Sequence, residues 1–422
     1  MAKRSWQVKL ACVWGGELIS VLTSSILQMG FIWHITLSTN SASMLSLASL
    51  AGFLPLAAFG TFAGVIVDRM PIKRVLIGAD LFIAAVSVLV AAVSATGALP
   101  VWVVIVALFF RAIGSAFHTP AFQTLTPLVA PPEHLTRLAG VSQAVQSGGY
   151  ILGTAVAAVI YPLWGLTAMI ALDVLGALLA TVAVMVARLD VGGAQATGEA
   201  EAAGPVDISS RVRALLQETA AGYRVLRAYR GLFALLWCGF VFTLVFSPIS
   251  ALFPLMTIDH FGGTTTDAAT AEIVFSVGMI AGSALLASTG GFKNRALTVV
   301  AATALYGAAT LVAGLLGPNG YVTFLAMSFL MGVSSPFYSG PQTALMQEKV
   351  PPEYLGRVFG LYGAIMSWAL PIGLAVSSLF ADGVGATLWF AGAGAAMLLL
   401  ALATWAIPSI RTIETDSERA AD

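Results

Sequence analysis

Charge is what this sequence has least of. Only 9% of its 422 residues are Asp, Glu, Lys or Arg, where an ordinary soluble domain carries about 25%. A hydrophobic share of 58% accompanies that shortage, and no soluble core could bury so much apolar surface. The solvent for most of this chain is therefore lipid. Cysteine is scarce too: Cys12 and Cys238 stand alone in apolar stretches, which excludes a disulfide framework. His34, His118, His134 and His260 are scattered without metal-ligand spacing, so no metal and no other cofactor is expected. The chain lacks His-Glu-x-x-His, Gly-x-Ser-x-Gly and Gly-Lys-Ser/Thr, the signatures of metalloprotease, serine-nucleophile and phosphate-loop chemistry. Those gaps argue against an enzyme and against ATP as an energy source.

What is present is a series of long apolar runs. Twelve are read near residues 10–34, 43–67, 75–96, 101–122, 138–160, 166–187, 231–256, 269–289, 296–316, 321–343, 358–380 and 386–407. Each is about 20 residues or more, enough to cross about 30 Å of hydrocarbon as a helix. Lys3 and Arg4 precede the first run as in a signal peptide, but the run is too long, contains Glu17 and lacks a small-residue cleavage site. It reads as a retained span. With both termini in the cytoplasm, nineteen of the twenty Lys and Arg fall in cytoplasmic segments and none in external loops. That is the positive-inside pattern of a multi-pass cell-membrane protein. The exception is Arg111, inside the fourth run.

Residues 188–230 interrupt the apolar pattern. Ala, Gly and acidic residues up to Asp207 read as a tether. Arg211, Arg213, Arg224, Arg227 and Arg230 then alternate with apolar residues, as in an amphipathic helix on the inner membrane surface. Calmodulin or nucleic acid as partners of that helix are disfavoured. The organisation expected is an all-α membrane protein: a six-helix bundle over 1–187, a cytoplasmic linker over 188–230, a second bundle over 231–410 and a tail over 411–422. The halves are related in sequence. Pro131, Pro132, Glu133, Leu135, Arg137 and Gly140 recur 220 residues later as Pro351, Pro352, Glu353, Leu355, Arg357 and Gly360. A parallel duplication of this kind implies a pseudo-two-fold axis along the membrane normal and a cavity between the halves.

Ionisable residues inside lipid cost a few kcal/mol each, so each asks for a reason. Glu17 and Arg111 are both placed near mid-membrane by helical rise. Glu17, Ser20, Ser24 and Gln28 form one polar stripe; Arg111, Ser115 and His118 form another. A carboxylate and a guanidinium sharing a partly dry cavity meet the requirement of proton-coupled exchange, and a structural ion pair meets the same pattern. Asp173, deep in the sixth run, is the third candidate for proton coupling. Asp80 reads as pairing near the interface with the bases just before it. Candidate substrate contacts are Ser24, Gln28, His118, Gln146, Phe246, Tyr338 and Gln342, within a wider set of aromatics that includes Trp33, Phe53 and Trp368.

Between the second and third runs lies GVIVDRMPIKRVLIGADL, from Gly64 to Leu81. Asp68 follows the C-terminal end of its own helix, where the dipole disfavours a carboxylate, so it requires a partner elsewhere. Gly64, Asp68, Arg69, Lys73 and Arg74 are the candidate conformational switch, together with Gly153 in the small-residue strip Gly149–Ala158.

These stretches, with PVWVVIVALFFRAIGSAFHTPA, IALDVLGA, RGLFALL, ISALFPL, SPFYSGPQTAL and PPEYLGRVF, resemble drug exporters of the major facilitator superfamily, most closely the macrolide-efflux (Mef-type) proteins. The resemblance runs nearly end to end. It implies twelve helices in two bundles, alternating access, and proton-driven export of amphipathic drugs by a monomer. It also implies that Asp68 meets the start of the eleventh helix near Pro352, that Arg111 serves proton coupling, and that the Gly149–Ala158 strip is similar to an antiporter motif. The sequence departs from the family pattern at Thr154, where Pro is usual, at Pro71, and at Glu17, where relatives often carry Gln. A siderophore, lipid or metabolite is the alternative cargo on the same scaffold, and a non-transporting sensor is a further reading.

Overall fold

A computed structural model describes residues 6–67, 70–131, 134–187, 220, 222–290, 292 and 294–414. Among these residues the structure is helical throughout its long elements and contains no strand. In chain order the helices are α1 (Trp6–Thr39), α2 (Ala42–Val67), α3 (Ile72–Ala95), α4 (Val101–Val129), α5 (Leu135–Val186), a short α6 over 222–228, α7 (Arg230–Leu255), α8 (Thr265–Thr289), α9 (Arg295–Leu315), α10 (Tyr321–Lys349), α11 (Pro352–Val384), α12 (Ala386–Ala406) and α13 (Pro408–Arg411). A single π-helical turn, Met256–His260, continues α7 just after Pro254.

Eleven of these helices are long and apolar enough to cross a membrane. One of them does so twice. α5 has 52 residues, about 78 Å of helix and far more than the ~30 Å of hydrocarbon. Its path reverses at Gly165, whose φ of 68° and ψ of −173° no helix contains. Only a residue without Cβ takes this conformation at little cost. The two arms of α5 are the fifth and sixth expected runs, so the described residues supply twelve helical segments long enough to cross a membrane.

The described residues fall into two compact units. The first holds α1, most of α2, and α3 to α5; the second holds α6 to α13 together with Ser41–Ser46 at the start of α2. In the first unit α1 is gripped by both arms of α5, and α3 packs on α4 and α5. The grip depends on absent side chains. A Cβ on Gly153 would lie 2.7 Å from the Leu22 carbonyl oxygen and from Ser25 Cβ, and one on Gly176 would collide with the Thr23 hydroxyl. In a lipid solvent such close contact supplies most of the attraction between helices. In the second unit α9 packs on α10 and α12, α8 on α10, and α7 on α11 and α12. Within this unit the Ser43 N–H and the Ser41 hydroxyl donate to Asp382, at 3.0 and 2.7 Å. A carboxylate from α11 thereby satisfies orphan donors at a helix start.

The expected surface helix before residue 230 needs correction where it is described. Arg211 and Arg213 lie outside the described residues. Over 222–228 the helix turns Arg224 and Arg227 outward, but Leu226 is buried against Leu232, Leu345 and Val358. Leu226 at least meets protein, while Tyr223 on the same short helix is exposed.

Candidate functional site

The polar residues of the first unit converge in its interior. α1 supplies Glu17 and Ser24, seven residues apart and so on one face, and both are turned toward neighbouring helices. α3 supplies Asp80 and Ser87, likewise seven apart and both buried. α4 supplies Arg111 and His118, and α5 supplies Gln146 and Asp173. Glu17 is 6% exposed, Asp80 3%, Arg111 7% and Asp173 1%. None of the four faces lipid.

Two sub-sites can be separated by their bonding. In one, Arg111 grips Asp173 with both arms of its guanidinium: Nη1 donates to Oδ2, and Nη2 donates to Oδ1 at 3.0 Å. Nη1 also donates to the Ser87 hydroxyl. Ser87 donates to Oδ2 at 2.7 Å and Ser24 to Oδ1 at 2.9 Å, so both Asp173 oxygens are fully engaged. Paired charges with this much hydrogen bonding are the form in which ions persist inside a membrane protein. In the other sub-site Gln146 Nε2 donates to Glu17 Oε1 at 2.7 Å. The second oxygen, Glu17 Oε2, lies 3.6 Å from His118 Nε2, and Asp80 Oδ1 lies 3.4 Å from that same nitrogen.

Three carboxylates thus share one guanidinium, and the nearest of them has taken it. The facing oxygens of Glu17 and Asp80 lie within about 7 Å of each other across the ring nitrogen. With both ionised, their repulsion is roughly 2 kcal/mol at an effective dielectric of about 20. A proton on the cluster removes that cost.

This arrangement corrects several expectations. Glu17 and Arg111 do not pair; Asp173 holds the guanidinium instead, because two serines orient it from the adjoining helices. Asp80 does not turn to the bases before it but is buried opposite His118. Its distance from Arg74 along the helix suggested a surface position, and only its i, i+7 relation to Ser87 hinted at an inward face. Ser24, His118 and Gln146, expected as substrate contacts, are already spent on Asp173, Glu17 and Asp80. Gln28 is half-buried on the same helix as Glu17.

In the second unit Phe246 stacks on Phe242 with ring centroids 6.2 Å apart, and Tyr338 stacks on Phe242 at 4.3 Å. Tyr306 meets Phe246 edge-on. Gln342 is satisfied at both ends, donating to the Leu235 carbonyl at 3.2 Å and accepting from the Tyr362 hydroxyl at 3.1 Å. The Tyr338 hydroxyl is buried with no hydrogen-bond partner among the described residues. Gly239 leaves room for it, since a Cβ there would lie 2.8 Å away. Of the wider aromatic set, Trp33 is fully buried, while Phe53 and Trp368 are exposed at 47% and 44%.

The candidate switch is only partly within view. Asp68 and Arg69 lie outside the described residues, and Gly64 is seen only as helical backbone. Lys73 and Arg74 occupy the first turn of α3, with Arg74 exposed. Gly153 sits against α1, in the close contact described above.

The profile described as Major Facilitator Superfamily matches residues 13–362 and, separately, 235–421. The chain belongs to the major facilitator superfamily. It is therefore a multi-pass membrane protein of a transporter family. It is 44% identical to macrolide efflux protein A of Streptococcus pyogenes, over 97% of this chain and 98% of that protein. It is 46% identical to macrolide efflux protein A of Enterococcus faecalis, over 79% of this chain and 99% of the relative. The multidrug efflux pump Tap of Mycolicibacterium fortuitum is 28% identical, over 94% of each chain. Among solved structures, a POT family transporter in complex with a thioalcohol-conjugated peptide superposes with a TM-score of 0.70 at 12% identity, covering 98% of this chain and 96% of that one. That likeness concerns the fold alone.

Proposed function

We propose that this protein is a proton-coupled exporter of macrolides or other amphipathic drugs, working by alternating access. The observation that carries the reading is the 44% identity to macrolide efflux protein A along almost the whole of both chains. Further support comes from the first unit, where ionisable side chains that would be costly in lipid are buried together among the helices. Glu17, Arg111 and Asp173 belong to the proton-coupling centre in this reading, Arg111 and Asp173 as the fixed ion pair beside Glu17. Gln28, Phe246, Tyr338 and Gln342 are its substrate contacts or their supports. Gly64, Asp68, Arg69, Lys73, Arg74 and Gly153 act as the conformational switch. The bundles span 1–187 and 231–410, joined by the 188–230 linker, with a tail over 411–422. Both termini are cytoplasmic by the distribution of Lys and Arg. The working unit is a monomer in a lipid bilayer, with a proton and a small drug as its partners.

Cells expressing the protein should retain less macrolide than empty cells, and an uncoupler should abolish the difference. Export that continues undiminished with the pH gradient and membrane potential collapsed would refute proton coupling. A panel containing macrolides, hydrophobic cations, siderophores and lipids would identify the cargo. Glu17→Gln should impair export of cationic drugs more than neutral ones, and export equal to the parent's in both drug classes would refute a charge role for Glu17.

A further inference from the structure

We infer that the exchangeable proton resides on the Glu17–His118–Asp80 cluster, with His118 as the group that passes it on, while the Arg111–Asp173 pair stays closed. The inference rests on the proton-coupled reading above and locates its chemistry.

Three observations bear on it. The first is bonding. Arg111 and Asp173 satisfy each other with two N–H donors, and two serines occupy the remaining acceptor sites of the carboxylate. Protonating Asp173 would leave the guanidinium uncompensated in a dry interior, which makes this pair a poor place to load and unload a proton. The second is charge. Glu17 and Asp80 come from different helices and converge on one nitrogen, His118 Nε2, at 3.6 and 3.4 Å. Among the described residues no permanent cation is left for them, and Gln146, the other partner of Glu17, is neutral. Imidazole is the side chain whose protonation changes readily in the physiological range, and its N–H can turn to either of two acceptors. The third is access. The His118 side chain is 14% exposed, against 6% for Glu17 and 4% for Asp80. It is the least enclosed member and so the one through which a proton reaches the carboxylates. Its ring also has a platform, running parallel to Phe122 with centroids 6.3 Å apart.

Among the described residues, the ionisable groups facing this cluster are Glu17 from α1, Asp80 from α3, Arg111 and His118 from α4, and Asp173 from α5. Together they hold more carboxylates than cations. No covalent step is involved. The proton moves between Nε2 and the carboxylate oxygens and leaves the cluster on the side to which it is open.

The test separates coupling from folding. Purified full-length protein is reconstituted in liposomes and offered radiolabelled erythromycin, a macrolide. Two reactions are measured: accumulation driven by an imposed pH gradient, and drug-for-drug counterflow without one. For His118→Gln, Glu17→Gln and Asp80→Asn the expected result is loss of gradient-driven accumulation, the inside-to-outside ratio falling to unity, with counterflow continuing. His34→Gln serves as control, since His34 is bonded to the Leu99 carbonyl outside the cluster, and it should accumulate drug as the parent does. Retained accumulation in His118→Gln would overturn the assignment to His118 while leaving proton coupling intact. Loss of both reactions in all three variants would assign the cluster to packing and also overturn it. A parent protein that accumulates nothing under a pH gradient would defeat the coupled-export reading, and this assignment with it.

Discussion

Replacing Asp173 with Asn would strand a buried cation. Arg111 is 7% exposed and points Nη1 and Nη2 at the two Asp173 oxygens. An amide in that place supplies one acceptor and turns an NH2 group toward N–H donors. Removing one partner of a buried ion pair costs about 3–5 kcal/mol, because the other charge keeps its desolvation penalty without compensation. Arg111→Gln combined with Asp173→Asn removes both charges and lets two amides bond, so the double variant should recover at least about 2 kcal/mol of the summed single costs. Arg111→Lys keeps the charge but loses the two-pronged geometry, and should fall between parent and Asp173→Asn. Unfolding of the detergent-purified parent, Asp173→Asn, Arg111→Gln and the double variant, followed by heat or denaturant, provides the cycle. A stability of Asp173→Asn equal to the parent's, or strict additivity in the double variant, would refute the account of a closed pair.

Two further substitutions follow from packing. Gly153→Val adds side-chain carbons where a Cβ alone would already lie 2.7 Å from the Leu22 carbonyl and Ser25, forcing α1 away from α5 at a cost of about 1–3 kcal/mol; unchanged thermal stability would contradict the contact. Tyr338→Phe deletes a buried hydroxyl that has no partner among the described residues. Stability should hold or rise by about 1 kcal/mol, while macrolide affinity, measured by equilibrium binding, falls if the hydroxyl is reserved for the drug. A destabilised Tyr338→Phe variant would mean that the hydroxyl is bonded after all.

Much of this architecture was legible in the sequence because lipid imposes a simple rule: a backbone crossing it must satisfy its own hydrogen bonds, which a long apolar run does as a helix, and the side chains facing lipid must be apolar. The runs near 75–96, 296–316 and 386–407 correspond to Ile72–Ala95, Arg295–Leu315 and Ala386–Ala406. Helix ends were less legible where a helix outlasts the lipid. The run 321–343 continues to Lys349 through Gln347 and Glu348, since hydropathy reports the solvent around a helix and not the breaker that stops it. Arg111, Glu17 and Asp173 could be recognised as buried charges from the cost of placing them there. Which of them pair could not. Partner choice depends on how far each helix is rotated and shifted against the next, and that is set by contacts such as Gly153 on Leu22 and Gly176 on Thr23, which no single-helix pattern contains.

The turns at Gly165 and Gly385 carry a mechanical corollary. Gly165 alone separates the arms of α5, and Gly385 alone separates α11 from α12. The residues flanking a single connecting residue are two Cα steps apart, about 7 Å at full extension, so the connection can lengthen by far less than the 5.4 Å pitch of a helix. Neither pair has enough slack for one member to ratchet past the other by a full turn. Each pair must swing as a single stiff lever, and any bending has to be taken up within the helices themselves.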